Sequence, residues 1–397
     1  MSSKARFISL FFMSCLCFLM SAGATHSPGE KLSAPGPDDP KGSSGIPIAV
    51  TGTLIDGTGV APVPDAVVVI EDGQITAAGP RKEVKIPANA RILEFPGGTL
   101  LPGFINAHVH TMFDDKKLKA WAREGVTTVR DLAEAANLEW FALRDKLRAD
   151  PRNARIVAAG PVFTCADGFL KEVSLVVSSP EDARAKVKAL IDQGADVIKV
   201  GLNSPIYPEL SPDVVKAIVD AAHGRGKPVA AHVISAQGMG VAVEAGVDDL
   251  SHMAPIGAKP EALIRQAKEK GIYWIPTFEP PRGDPPRQKV KDDFRLFLDL
   301  GGAVALGNDS GSMPNVQVGM PIKEILFMQD AGMTPMRIIE AATRQAARVC
   351  RLENEIGTLQ PGKRADLLVV DGNPLEDLNA LTKTRLVIHD GIIIRLE

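Results

Sequence analysis

The stretch "GFINAHVHTMFDD", from Gly103 to Asp115, carries His108 and His110 with only Val109 between them. Residues two apart in a strand project from the same face, so both imidazoles point one way and can share an ion if the strand ends in a pocket. Other short apolar runs also close on polar residues. In chain order these are Arg130 with Asp131, Lys199, His232, His252, Thr277 and Asp309. A single histidine at a strand end is more often a helix cap or a satisfied core residue. Four of the chain's 7 histidines sit at such ends, however, and that points to metal. Imidazole and carboxylate ligands suit zinc and similar divalent ions, and an aspartate at the last strand can both bind metal and carry a proton. Lys199, in "GADVIKVGLN", does not fit as an ammonium, because cation repels cation and desolvation adds to the cost. Its plain alternative is an ion pair with a carboxylate at the rim.

These residues need a scaffold that brings strand ends together. From about Gly125 onward the chain repeats an amphipathic stretch, a glycine and a short apolar run: "EGVTTVRD", "QGADVIKV", "RGKPVAAH", "AGVDDLSH", "KGIYWIPT" and "GGAVALGND". Glycine just past a helix supplies a left-handed C-cap, and runs of Val, Ile and Ala suit strands buried on both faces. With "PGFINAH" and "ARIVAAGPV" the candidate strands number eight, which predicts an α/β fold with a (β/α)8 TIM-like barrel over residues 102–351. An open doubly wound sheet is the alternative. The strand-like segments "IPIAVTGTLIDGTG", "AVVVIEDGQITAAG" and "ARILEFPGGTLL" precede the barrel, and "ADLLVVDGN", "LVIHDG" and "IIIRLE" follow it. They predict a small β-sandwich domain built from both chain ends, residues 46–101 and 352–397.

Length and charge agree with a globular protein whose partner is a small molecule. The chain has 397 residues, 45% of them hydrophobic, enough for a large core plus a companion domain. Its formal net charge of −3 is a small difference between near-equal totals with no long run of one sign, so neither nucleic acid nor an anionic membrane surface is implied. A small-molecule substrate is the expected partner, and homo-oligomerisation stays open.

At the N-terminus, Lys4 and Arg6 precede the apolar "FISLFFMSCLCFLM", followed by "SAGAT". Residues 1–24 are therefore expected to be a signal peptide, and the chain to be exported, periplasmic or secreted. A membrane anchor is the alternative, but the run falls short of the roughly 20 apolar residues that span a bilayer. A lipoprotein site at Cys15 is weaker, since "FMSC" lacks the usual leucine. Residues 25–45, rich in Pro, Gly, Ser and charge, are expected to be a flexible leader. Cleavage would leave Cys165 and Cys350, expected as unpaired thiols because two cysteines make no disulfide framework. His26, His223 and His389 receive no role.

The set "HVH", "IKV", "AAH", "LSH" and "GND", flanked by "LLPGFINAHVH" and "EIGTLQPGKRADLLVVDGNPL", resembles the metal-dependent amidohydrolase superfamily, in particular its imidazolonepropionase-like and Xaa-Pro dipeptidase-like members. The resemblance spans almost all of the mature chain. It implies two divalent metal ions, zinc by preference. His108 and His110 would bind the more buried ion and His232 and His252 the more exposed one. Lys199 would become a CO2-derived carbamate bridging them, which replaces the awkward cation with two anionic oxygens. Asp309 would bind the first metal and act as acid and base. The sequence departs from its relatives at Asn308, where many members have threonine, and at Ser251, where this branch often has glutamate. The stretch "FEPPRGDPPRQK" after Thr277 is short for the lid that many relatives build there.

The leading expectation is hydrolysis of an amide-type C–N bond in a dipeptide, an N-acyl amino acid or a related small amide, by metal-bound hydroxide with Asp309 as general acid and base. A one-metal deaminase or imidazolone hydrolase usually has glutamate three residues after the strand-five histidine, where this chain has Ser235. A lactonase or esterase remains open on the same metals, as does a non-catalytic metal-dependent binding protein. Arg130, Cys165 and Tyr207 are candidate substrate contacts, with a salt bridge as the alternative for Arg130. No histidine is free to activate Cys165 as a nucleophile.

Overall fold

The computed structural model describes residues 45–136, 139–252, 261–280, 287–314, 316 and 318–397. The expected signal peptide, all of the leader but residue 45, and much of the proline-rich loop after Thr277 lie outside the described residues.

Four strands open the described chain: β1 (Ile48–Leu54), β2 (Val63–Glu71), β3 (Gln74–Pro80) and β4 (Arg91–Pro102). Directly after β4 the parallel units begin, with β5 (Phe104–Val109), β6 (Val126–Asp131) and β7 (Arg155–Ala158), then the two-residue β8 (Phe163–Thr164) and β9 (Leu175–Val176). They continue with β10 (Ile198–Leu202), β11 (Val229–Val233), β12 (Asp249–Ser251) and β13 (Tyr273–Ile275). Three strands close the chain: β14 (Leu367–Asp371), β15 (Thr384–His389) and β16 (Ile392–Leu396).

Every residue of β5, β6, β10 and β11 is buried, as expected for strands covered by helices on one side and packed inward on the other. The helices are cut to length by local chemistry. Ser179 caps Pro180–Asp192 by accepting from the Asp182 amide, and proline occupies the first turn. Ser235 accepts from the Gly238 amide to cap Ala236–Ala245, which ends on Gly246 at φ 84°. Ser235 is thus a helix cap just after β11.

β5, β6 and β7 form one parallel sheet; β10 to β13, with β8 and β9, form another. The gap between β13 and β5 is filled by residues 303–310. Trp274 N donates to Ala303 O at 2.9 Å, and Ala107 N donates to Leu306 O at 2.8 Å. On the other side, Asp196 N donates to Ala158 O at 2.9 Å, tying the segment before β10 to the end of β7. The result is a TIM-barrel-like α/β arrangement. The expected eighth strand, "GGAVALGND", forms isolated bridges at Val304 and Ser310 and not a continuous ladder. Two local features account for that. Gly307 lies so close to β5 that a Cβ on it would sit 2.7 Å from His108 Cβ, and Asp309 turns left-handed at φ 59°.

The strands from both chain ends do combine, but as one seven-stranded sheet in the order β16-β15-β14-β4-β1-β2-β3, where a two-sheet sandwich was expected. Side-chain alternation explains it. One face of the sheet gathers Val50, Val68, Ile70, Ile75, Leu100, Leu367, Val369, Leu386 and Ile388 into a single apolar cluster. Leu101, Leu368, Val370 and Val387, on the opposite face, join the main core with Leu118 and Trp121. Among the described residues, no helix is long and apolar enough to cross a membrane.

Candidate metal centre

His108 and His110 leave β5 on the same face, with their Nε2 atoms 3.1 Å apart. Asp309 meets both: its Oδ1 lies 2.9 Å from His110 Nε2 and 3.3 Å from His108 Nε2. These donor atoms all lie within 4.8 Å of one another. Asp309 reaches them because its amide donates to the His108 carbonyl at 2.9 Å, which docks the 303–310 stretch against the end of β5.

A second pair stands beside the first. His232 ends β11 and His252 follows β12, with His252 Nε2 2.8 Å from His232 Nδ1. His252 Nδ1 contacts the Thr277 hydroxyl at 2.8 Å. The rings of His108 and His252 approach to 4.9 Å between centroids, so the two pairs form one cluster. Lys199 lies under this cluster only 2% exposed, and its Nζ donates to the Ser251 hydroxyl at 2.7 Å. Ser251, found where this branch often has glutamate, is therefore a hydrogen-bond partner of the lysine.

The electrostatics favour lone pairs over protons. Burial, and then the Lys199 charge, hold the His108 imidazole well below its ordinary pKa, leaving it a neutral donor of electron pairs. Two imidazole nitrogens and a carboxylate oxygen converging in a buried pocket match the ligand set of zinc and similar ions, so the residues fit a metal. Backbone strain marks the same place. His252, Thr277 and Asp309 adopt φ of 77°, 49° and 59°, in the left-handed region where a β-branched threonine is costly.

Around the ligands lie residues that the sequence pattern did not single out. Phe169 stacks on His232 at 4.5 Å and 17° between planes, walling one side of the second pair. Asn106, fully buried, joins its side-chain amide to Asn308 at 2.7 Å, and the Asn308 amide reaches Glu279 at 3.0 Å. Glu134 forms an acidic pair with Asp131. Burial raises Glu134 to about 7, and burial together with the Glu134 charge pushes Asp131 well above the usual carboxylate range. Asn106 and Glu134 could have been found by their places, two before the first histidine and three after the second strand's end. Phe169 lies in an irregular loop with no such signal.

The expected substrate contacts fare differently. Arg130 is fully buried, with its two terminal nitrogens each 2.9 Å from an Asp249 oxygen and its Nε donating to Ala107 O at 2.7 Å. It is engaged by that pair and the backbone, as in the salt-bridge alternative. Cys165 is half-buried against the core, and burial raises its thiol pKa. Both Cys165 and Cys350 are free cysteines. Tyr207 lies beside Phe169, at 6.2 Å between ring centroids.

Comparison with known proteins agrees with this geometry. Residues 99–393 match the Amidohydrolase family. The chain is 26% identical to an ochratoxinase of Aspergillus niger, covering 87% of this chain and 85% of that one. It is 25% identical to an imidazolonepropionase of Nocardia farcinica, covering 77% and 85%. Among solved structures it is similar to a Xaa-Pro dipeptidase with methionine bound in its active site, at a TM-score of 0.76 and 25% identity, over 87% of this chain and 99% of that one. The chain belongs to the amidohydrolase family, metal-dependent hydrolases that act on carbon–nitrogen bonds in small molecules.

Proposed function

We propose that the protein is an exported binuclear-metal amidohydrolase that cleaves an amide bond of a dipeptide, an N-acyl amino acid or a related small amide. One observation carries the binuclear reading: the approach of His108 and His252 to 4.9 Å merges two ligand pairs into a single cluster. In this reading His108, His110 and Asp309 would hold one ion and His232 and His252 the other, with Lys199, as its CO2-derived carbamate, a ligand to both. Zinc suits the donors. Bound there, the ions supply Lewis-acid activation of water and of the scissile carbonyl.

The chain's own residues do the rest. The Asp309 carboxylate, standing beside His110, would take a proton from the attacking water and return it to the leaving nitrogen. Thr277 orients His252 through its Nδ1. Phe169 presents an apolar wall over His232, excludes water and favours a flat or hydrophobic substituent on that side. The similarity to a Xaa-Pro dipeptidase supports peptide-like amides as the class to test first. In the same reading residues 102–351 form a closed (β/α)8 barrel that carries the chemistry, residues 46–101 and 352–397 form the companion domain, and residues 1–24 direct export.

The test is a screen of dipeptides, N-acyl amino acids and lactones with metal-reconstituted protein. Turnover of amides is expected. Turnover of lactones alone would replace this reading with an esterase.

A further inference from the structure

A second group of ligand-type side chains lies at the opposite end of the strands. Asp366 receives the Gly103 amide on its carbonyl at 2.8 Å and the Thr127 hydroxyl on Oδ2 at 3.3 Å, at the starts of β5 and β6. Arg155, the first residue of β7, donates to Asp366 Oδ2 at 3.0 Å and to Asp390 Oδ1 at 2.5 Å. Arg364 Nε also donates to Asp390 Oδ1, at 2.6 Å, and the Asp390 amide donates to Asp366 Oδ1 at 2.9 Å. The arginines thus occupy one oxygen of each carboxylate. Asp390 Oδ2 and a lone pair of Asp366 Oδ1 remain, 3.8 Å and 3.9 Å from His389 Nε2.

His389 is 2% exposed and its Nε2 has no hydrogen-bond partner. Its Nδ1 lies 2.9 Å from the Pro151 carbonyl oxygen. A carbonyl only accepts, so Nδ1 carries the proton. With the proton on Nδ1, the buried Nε2 lone pair points between two carboxylate oxygens and meets no hydrogen-bond donor, and a cation among the three atoms would satisfy them together.

We propose that Asp366, His389 and Asp390 form a structural divalent-cation site that ties the C-terminal strands to the starts of the parallel strands. The three donor atoms lie within 4.8 Å of one another, and one nitrogen with two carboxylate oxygens suits zinc and similar ions. Bonds of about 2.0–2.2 Å put tetrahedral donors roughly 3.3–3.6 Å apart, so closure needs movements of a few tenths of an ångström. The Nδ1–H to carbonyl contact is how metal-binding histidines are commonly oriented. A cavity of about 390 Å³ opens beside His389 and Asp390, and Arg148, Arg155, Lys227, Arg351 and Arg364 also line it, so an ion enters past positive charge. Because Arg155 and Arg364 already offset the two carboxylates, this ion is held more weakly than those of the catalytic centre and leaves first under a chelator.

The site is tested in crystals of the wild-type protein equilibrated with zinc, by anomalous scattering at the zinc edge, and by elemental analysis of wild type and His389→Gln under the same conditions. A peak within bonding distance of His389 Nε2 is expected, with one equivalent less metal in His389→Gln and unchanged turnover. Zinc at the catalytic centre with no peak at His389, or equal metal content in the two proteins, overturns the proposal. The wild-type crystals decide the matter even if the variant folds poorly.

Discussion

The Asn106 side-chain amide donates to Asn308 at 2.7 Å, joining residues 202 positions apart. Both are fully buried, and each stands just ahead of ligands: Asn106 before His108, Asn308 before Asp309. Their amides fix the spacing of two chain segments that share no continuous ladder. Asn308 thus accepts a buried hydrogen bond from Asn106 and donates another to Glu279.

Asp309 should separate binding from chemistry. Asp309→Asn keeps an oxygen for metal but cannot take a proton, so kcat on amides should fall by about 10²–10⁴ with KM little changed. Esters, whose alkoxide needs less help to leave, should lose less. Steady-state kinetics on matched amide and ester substrates checks this, and equal losses on both would assign Asp309 to metal holding alone.

Lys199→Ala should abolish turnover and loosen metal, because the buried position accepts an anionic bridge better than an ammonium. A small carboxylic acid added to the variant should restore part of both. Ordinary turnover in Lys199→Ala would remove the carbamate from the mechanism.

Arg130→Met should act on stability. It strands Asp249 as an unpaired buried charge, a loss of about 3–5 kcal/mol, and Arg130→Met with Asp249→Leu should recover much of it. Denaturant unfolding reads both. Turnover per folded molecule should change little, whereas a rise in KM alone would return Arg130 to the substrate.

Glu134 predicts a pH effect. Its folded pKa of about 7 lies above the ordinary 4.5, so the folded protein binds the proton more tightly than the unfolded chain. Its contribution to stability is complete below 4.5 and is lost as pH rises through about 7. Glu134→Gln should flatten the stability profile in that window. An identical profile in the variant would show that the acidic pair with Asp131 is uncoupled from folding.

What local geometry controls is legible in the chain alone. Strand alternation alone puts His108 and His110 on one face, and apolar runs ending in polar residues identify Lys199, His232, His252 and Asp309 without any knowledge of which strands are neighbours. Helix caps such as Ser179 and Gly246 are equally local. Contacts between distant segments were beyond its reach. Arg130 looked like a rim residue because its position is at a strand end, yet a complementary charge on β12 holds it in the core. Phe169 found His232 only because an irregular loop folds over β11. The terminal strands alternate as a sandwich would, but one sheet with an apolar cluster on one face shows the same alternation, so pattern could not choose between the two. Side-chain direction repeats every two residues and is written in the chain, whereas pairing across hundreds of residues depends on burial and charge summed over the whole fold, and only the tertiary structure decides it.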